Sequence, residues 1–347
     1  MAAATRGHNY DMISWFTVAD ITSHGGNVYA ETDRYNYGPV WFLIIHVLDV
    51  LSLHRHEVLR YSIAGFLSLV DVGIFLFLLR RAGSVAAILF FLSPVSVIIS
   101  GYHCQFDNLA VLLGLWSVQL IGDDFEKSMD RRKFGGLFVL GLSMATKHVL
   151  FAFPVWLAVK QKGLWQKIFI LTVPVAVFLL SFAPYWPAGR QGILDNVFLY
   201  HSNPTNFFYE FLVPKLVQEC VGSGAIWFAL IVVFAFLCRT RNAFESLLIY
   251  TGVLVAFSPA TYNQYLAIPM ALASVFFSVP FCCYILVTSY HLCADYNGVH
   301  LVRYGVYYDI AIIVLCFAIF WLFWRKQFLD LFQAVHREIR IQLGLMR

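Results

Sequence analysis

The sequence predicts an all-α integral membrane protein, a polytopic bundle of about ten to twelve helices. Three observations lead there. Of the 347 residues, 60% are hydrophobic and 13% charged, against roughly 25% charged in a soluble domain, which excludes a soluble enzyme. The apolar residues fall in blocks of about 14–25 separated by short polar joins, the length that bilayer-spanning helices need. Blocks such as 86–99 and 225–237 are apolar on every side instead of alternating, which excludes a membrane β-barrel. The net charge of +4 is small and its Lys and Arg sit mostly in the joins. No nucleic-acid partner is implied.

Residues 1–38 contain Asp11, Asp20, Glu31, Asp33, Arg6 and Arg34, unlike a signal peptide. They read as an external or lumenal acidic loop with amphipathic helices. The transmembrane domain follows over 39–325, with blocks at 39–53, 61–79, 85–100, 109–122, 134–159, 168–184, 225–237, 247–257, 264–288 and 310–324. Block 39–53 is too short for a full crossing and is expected not to make one. Block 134–159 carries Thr146-Lys147-His148 at its centre. A charge at mid-bilayer costs about 2.5–3.5 kcal/mol, so this block is expected to be two short helices with Lys147 and His148 at the turn. Residues 326–347 form a basic tail.

Arg80-Arg81, the stretches 127–133 and 160–167, Arg239 to Arg241 and the tail are rich in Lys and Arg, so the positive-inside rule assigns them to the cytoplasm. The loop 103–107, the Lys147-His148 tip, the loop 185–215 and the turn 259–264 then face the other side. Tryptophans near block ends read as an interfacial belt. The seven cysteines lack metal-ligand spacing and read as small buried apolar residues. His54 and His56 have no third ligand nearby in sequence, so no metal is assigned to them.

The external segments gather Asp11, Gln105, Asp107, Lys147, His148, Arg190, His201, Asn263 and Gln264. Carboxylates and cations beside apolar helices suit transfer of a sugar from a lipid phosphate. The phosphate is already a good leaving group, so the chemistry needs one base for the acceptor hydroxyl. It also needs cations for the phosphate, and a carboxylate favours the oxocarbenium-like state. Lys147, His148 and Arg190 could hold the phosphate.

The run Asp11-Met12-Ile13-Ser14-Trp15-Phe16, then His24-Gly25-Gly26-Asn27-Val28-Tyr29 and Tyr35-Asn36-Tyr37-Gly38-Pro39-Val40-Trp41, resembles the first external loop of the GT-C membrane glycosyltransferases, nearest the GPI-mannosyltransferase-like branch and its bacterial relatives. Leu92-Ser93-Pro94, the run 101–108, the Lys147 break followed by Pro154, and Ser258-Pro259-Ala260-Thr261-Tyr262-Asn263-Gln264-Tyr265 continue the likeness over about three-quarters of the chain. The resemblance implies a GT-C-like helical arrangement and an inverting transfer of a hexose, most plausibly mannose. The donor would be a polyprenyl- or dolichyl-phosphate sugar and the acceptor a glycan or glycolipid, in the endoplasmic reticulum or bacterial plasma membrane.

It also implies Asp11 as catalytic carboxylate and Asp107 as the second candidate. Gln105 and Tyr37 would shape the substrate pocket, and Lys147, His148, Asn263 and Gln264 would lie near the lipid-phosphate headgroup. Some relatives have an Asp-x-Asp pair where this chain has Asn9 and Asp11, so a divalent metal bridged by that pair is doubtful. Family members place a spanning helix ahead of the acidic loop. Its absence would fit a shortened or divergent chain, or a membrane partner subunit that supplies it.

Each residue has a plainer reading: Asp11 and Asp107 as helix caps, Lys147 as a snorkelling helix end, Asp71 as an interhelical hydrogen-bond partner. A lipid or sugar transporter would also carry broken helices and intramembrane charges, although no inverted repeat is visible. A non-catalytic membrane subunit is the third class.

Overall fold

A computed structural model describes residues 10–123, 130–200, 206, 208–260, 262–297 and 304–342. Asn9, His201, Thr261, residues 127–129 of the basic stretch 127–133 and the tail beyond 342 lie outside them. Among the described residues there are seventeen α-helical segments and no strand. This count exceeds ten to twelve because blocks 85–100, 134–159 and 264–288 are each broken and four helices (Asp11–Ser23, Val28–Glu31, Trp186–Gly192 and Lys215–Val221) lie outside the blocks, which leaves the all-helical bundle itself as expected.

Helices α1 (Asp11–Ser23), α2 (Val28–Glu31) and α3 (Pro39–Leu51) precede α4 (His56–Arg81), a 26-residue helix long and apolar enough to cross a membrane. Two others reach that length, the run Leu164–Phe198 and the span Val306–Asp330; two bent pairs bring the total among the described residues to five. The bent pairs have causes in the sequence. Pro94 cannot extend α5 (Ser84–Phe91), so α6 (Pro94–Gly101) starts afresh at 48°. Gly222, at φ 83°, turns α12 (Lys215–Val221) by 90° into α13 (Ser223–Leu237).

Block 134–159 divides as its central charge suggested. α8 (Arg131–Thr146) stops at Lys147, whose backbone is extended (φ −151°, ψ 142°); a single 3-10 turn His148–Leu150 and α9 (Phe153–Ala158), with Pro154 in its first turn, follow. α10 (Leu164–Ser181) leads to α11 (Trp186–Gly192), and α14 (Ala243–Phe257) to a 3-10 stretch, Asn263–Ala267. Block 264–288 likewise splits, into α15 (Met270–Val275) and α16 (Val279–Asn297). The last helix, α17 (Tyr304–Gln342), kinks at Trp324.

α3 does not cross the molecule. It runs back along the first half of α4: Trp41 packs on Phe66 at 6.5 Å, and Ser52 hydrogen-bonds Ser62 at 2.9 Å. α1 lies beside it, with Trp15 edge-on to Trp41 and Asp20 bonded to His56 at 2.8 Å. Only α4 and the bent α5–α6 pair then separate Asp11 from Asp107, an even number of passes. This is why both aspartates reach the same end of the bundle.

The other end collects the basic joins. Arg81 donates to Gln119 at 2.9 Å, the Ala243 amide donates to Asp123 at 2.8 Å, and Arg241 pairs with Glu245 at 3.1 Å while facing the rings of Phe276 and Phe323. α7 (Asp107–Ile121), 15 residues, connects the two ends over about 22 Å at 1.5 Å per residue.

Candidate active site

The site is assembled by two turns and one helix break. The first turn ends at Gly38, where a Cβ would fall 2.0 Å from the backbone oxygen of Ala145. Only glycine lets the 35–38 loop press against the last turn of α8, and that contact sets Tyr37 beside Lys147. Tyr29 donates to the Tyr37 carbonyl at 2.9 Å and Tyr35 to the Gly38 carbonyl at 2.6 Å, so the loop's polar backbone is satisfied by phenols.

The second turn passes through Cys104, a non-glycine residue at φ 52°, a conformation that an L-residue adopts at a cost of order 1 kcal/mol. Trp15 holds it by donating from Nε1 to the Cys104 carbonyl at 3.2 Å. The bend aims Gln105 inward and starts α7 at Asp107. Phe106, between them, stacks on Trp41 with centroids 4.3 Å apart.

At the centre is a chain of four side chains. Lys147 Nζ donates to Asp107 Oδ2 at 2.7 Å and to Gln105 Oε1 at 3.4 Å, and Gln105 Nε2 donates to Asp11 Oδ2 at 2.8 Å. Lys147, Gln105 and Asp107 are buried. An ammonium needs an acceptor and a carboxylate a donor, so the amide can face only one way. Three rings surround the Lys147 ammonium, Phe106 at 4.8 Å, Tyr37 at 5.2 Å and Tyr265 at 5.7 Å, the arrangement in which ring faces help replace water around a cation. Burial, with Tyr265, Asp107 and Asp11 nearby, raises the Tyr37 hydroxyl well above its ordinary value, so Tyr37 remains a neutral phenol at physiological pH.

Two chambers adjoin this chain and share the wall Asn36, Tyr37, Tyr200 and Tyr265. The inner one, about 270 Å³, is headed by Lys147 and His148 and lined by Val149, Val197, Trp227, Leu254, Val255 and Ile268. The outer one, about 360 Å³, is lined by Asp11, Ser14, Asp33, Arg34, Tyr262 and Gln264 among others. One is largely apolar with a basic head; the other is polar.

The sequence-predicted residues divide accordingly. Asp11, Tyr37 and Gln264 line the outer chamber; Tyr37, Lys147 and His148 line the inner one. His148 Nε2 is sealed from solvent with no partner among the described residues. Asp107 and Gln105 line neither chamber: they lie behind Lys147 and Asp11, so Asp107 is placed to hold the lysine instead of touching a substrate as a second catalytic carboxylate. Asn263 turns away from both chambers to bond His291 at 2.9 Å, because neighbouring residues on a 3-10 turn face different directions.

Arg190 is not brought to the site. α11 packs Gly189 and Gly192 against Tyr29 and Asn27, where a Cβ at either would fall within 3 Å of them. Arg190 is therefore on another face, exposed, with its guanidinium 5.9 Å from the Trp186 ring. The cation at the outer chamber is Arg34 instead. Its Nε donates to Ser14 at 3.2 Å and its guanidinium covers Tyr10 at 4.3 Å, and its Nη2 is buried with no partner among the described residues. A lone arginine in a polar loop carries no motif that would have singled it out. Asp71, the expected interhelical partner, accepts from Asn108 of α7 at 2.6 Å. Among the described residues no three His, Cys, Asp or Glu side chains converge as metal ligands.

No protein-family model matches the sequence, and no curated protein matches it. Among solved structures the chain is similar to the crystal structure of ArnT from Cupriavidus metallidurans in the apo state, with 14% identity over 90% of this chain and 74% of that one and a TM-score of 0.50. The likeness is one of fold, an all-helical bundle.

Proposed function

We propose that the protein is an inverting glycosyltransferase that moves a hexose, with mannose as the preferred sugar, from a polyprenyl- or dolichyl-phosphate carrier to a glycan or glycolipid on the external or lumenal side. The observation that carries this reading is the Asp11–Gln105–Lys147–Asp107 chain at the junction of an apolar and a polar chamber. A lipid-linked sugar needs such a junction: an apolar slot for the lipid, cations at the phosphate, and a carboxylate facing water for the acceptor.

In this scheme the carrier enters the inner chamber with its phosphate toward Lys147 and His148, while the unpartnered Nη2 of Arg34 approaches from the outer side. Asp107 neutralises Lys147 in the empty site and keeps the ammonium aimed. Asp11 removes the proton of the acceptor hydroxyl, whose oxygen attacks the anomeric carbon as the bond from that carbon to the phosphate oxygen breaks. The phosphate leaves on its lipid, its charge held by the cations, and inversion follows from single displacement. Gln105 fixes the orientation of Asp11 by donating to it.

The test is transfer from a radiolabelled polyprenyl-phosphate hexose by the purified protein, with Asp11→Ala and Lys147→Ala beside the parent. Asp11→Ala should abolish turnover and retain donor binding; Lys147→Ala should weaken donor binding. Undiminished turnover in Asp11→Ala sinks the proposal.

A further inference from the structure

The outer chamber carries a charge pattern and an aromatic wall that the transfer chemistry alone does not require. Asp11 and Asp33 line it against the single guanidinium of Arg34, which leaves one net negative charge. In the scheme above Arg34 faces the phosphate, so an acceptor arriving from outside meets two carboxylates. Tyrosines ring the same space: Tyr10, Tyr200 and Tyr262 are 69%, 52% and 40% exposed. Accessible phenol rings beside carboxylates and amides (Asn36, Gln264) suit a polyhydroxylated ring, whose C–H face lies on the aromatic and whose hydroxyls bond the polar groups.

Resting on the transferase reading, we propose that the outer chamber is an acceptor site for an uncharged saccharide, and that Asp33 excludes acceptors bearing a phosphate or carboxylate near the attacked hydroxyl. Asp33 is exposed and has no role in the transfer itself. Its carboxylate raises the energy of a second anion in the chamber, whereas a neutral sugar gains hydrogen bonds from the same oxygens. Like charges about 4 Å apart in a wet site change affinity by about fivefold, and salt screens the effect.

The experiment uses the full chain in nanodiscs without donor. Saturation-transfer NMR is recorded with a panel of neutral gluco-, manno- and galacto-disaccharides and trisaccharides and, separately, with their uronic-acid and 6-phosphate counterparts, at low ionic strength. Neutral members should give signals at least fivefold stronger than the anionic ones. Tyr262→Ala and Tyr200→Ala should each reduce those signals severalfold, and Asp33→Asn should raise the anionic signals toward the neutral ones. Equal or stronger binding of the anionic members, no saccharide binding, or no response to Asp33→Asn overturns the inference. The same preparation is assayed for hydrolysis of polyprenyl-phosphate hexose to free hexose, which needs Asp11 but no saccharide. Hydrolysis with anionic preference sinks the acceptor inference alone; no Asp11-dependent hydrolysis sinks the transferase reading beneath it.

Discussion

Two lysines interrupt the apolar sequence at opposite ends of the bundle and are satisfied in opposite ways. Lys147 gives its ammonium to Asp107 and Gln105 inside a three-ring cage and heads a chamber. Lys160, in the join between α9 and α10, gives its ammonium to backbone carbonyls of the segment just after α13: Cys238 at 2.6 Å, Arg241 at 2.7 Å and Arg239 at 3.4 Å. The second arrangement is a helix C-terminus stopped by a cation, a structural use that saturates the donor. The first keeps a carboxylate oxygen, Asp107 Oδ1, buried with no partner among the described residues. The Lys147 site thus holds an acceptor in reserve behind the lysine that heads the chamber, whereas the Lys160 clamp uses its donor fully.

The largest effect expected at the Lys147 end is on Asp11. Asp11→Asn should lower the turnover number by 10²–10⁴, the range for losing a positioned base, with donor binding unchanged by equilibrium titration. A smaller loss would make Asp11 a structural group like those around Lys160. Next, Lys147→Met strands the buried Asp107 carboxylate and should cost roughly 3–5 kcal/mol of stability. The double variant Lys147→Met/Asp107→Leu should recover most of that stability in thermal unfolding yet stay inactive. Recovery of activity would make the pair purely structural and erase the contrast.

Gly38→Ala sharpens the comparison without touching a functional group. The added methyl meets the Ala145 carbonyl and should cost about 1–3 kcal/mol, with a fall in activity per folded molecule as Tyr37 shifts from Lys147. The smallest effects belong to the other end. Lys160→Met should cost roughly 1–2 kcal/mol and leave transfer per folded molecule intact. Burial pulls the Lys160 ammonium down to about 8 from an ordinary 10.5. Between those values the unfolded chain binds a proton that the folded one does not, so rising pH favours the fold. Across that window the Tm of the parent should gain on Lys160→Met, and a constant difference would remove this account of Lys160.

Much of this was legible in the sequence wherever one residue opposed its surroundings. A lysine in the middle of an apolar block predicted the α8–α9 break, and the 15-residue length of block 39–53 predicted a segment that does not cross fully. What stayed hidden depends on which way a side chain faces. Asn263 and Gln264 are adjacent and chemically alike, yet one bonds His291 and the other lines the outer chamber. Arg190 stood in an external loop with the right charge, but the two glycines that turn it away had no evident purpose until Tyr29 occupied the space against them. Arg34, Tyr200 and Trp227 entered through tertiary folding alone, since nothing local distinguishes them from ordinary loop or belt residues.

The amide of Gln105 has one giving end and one taking end, which makes the two aspartates unequal. Asp107 faces the lysine directly, while Asp11 meets it only through a neutral intermediary. When Asp11 accepts a proton in the proposed reaction, the Lys147–Asp107 ion pair beyond Gln105 stays closed. Proton uptake and charge storage are thereby kept on separate side chains, so the machinery can reset after each turn without rearranging its interior.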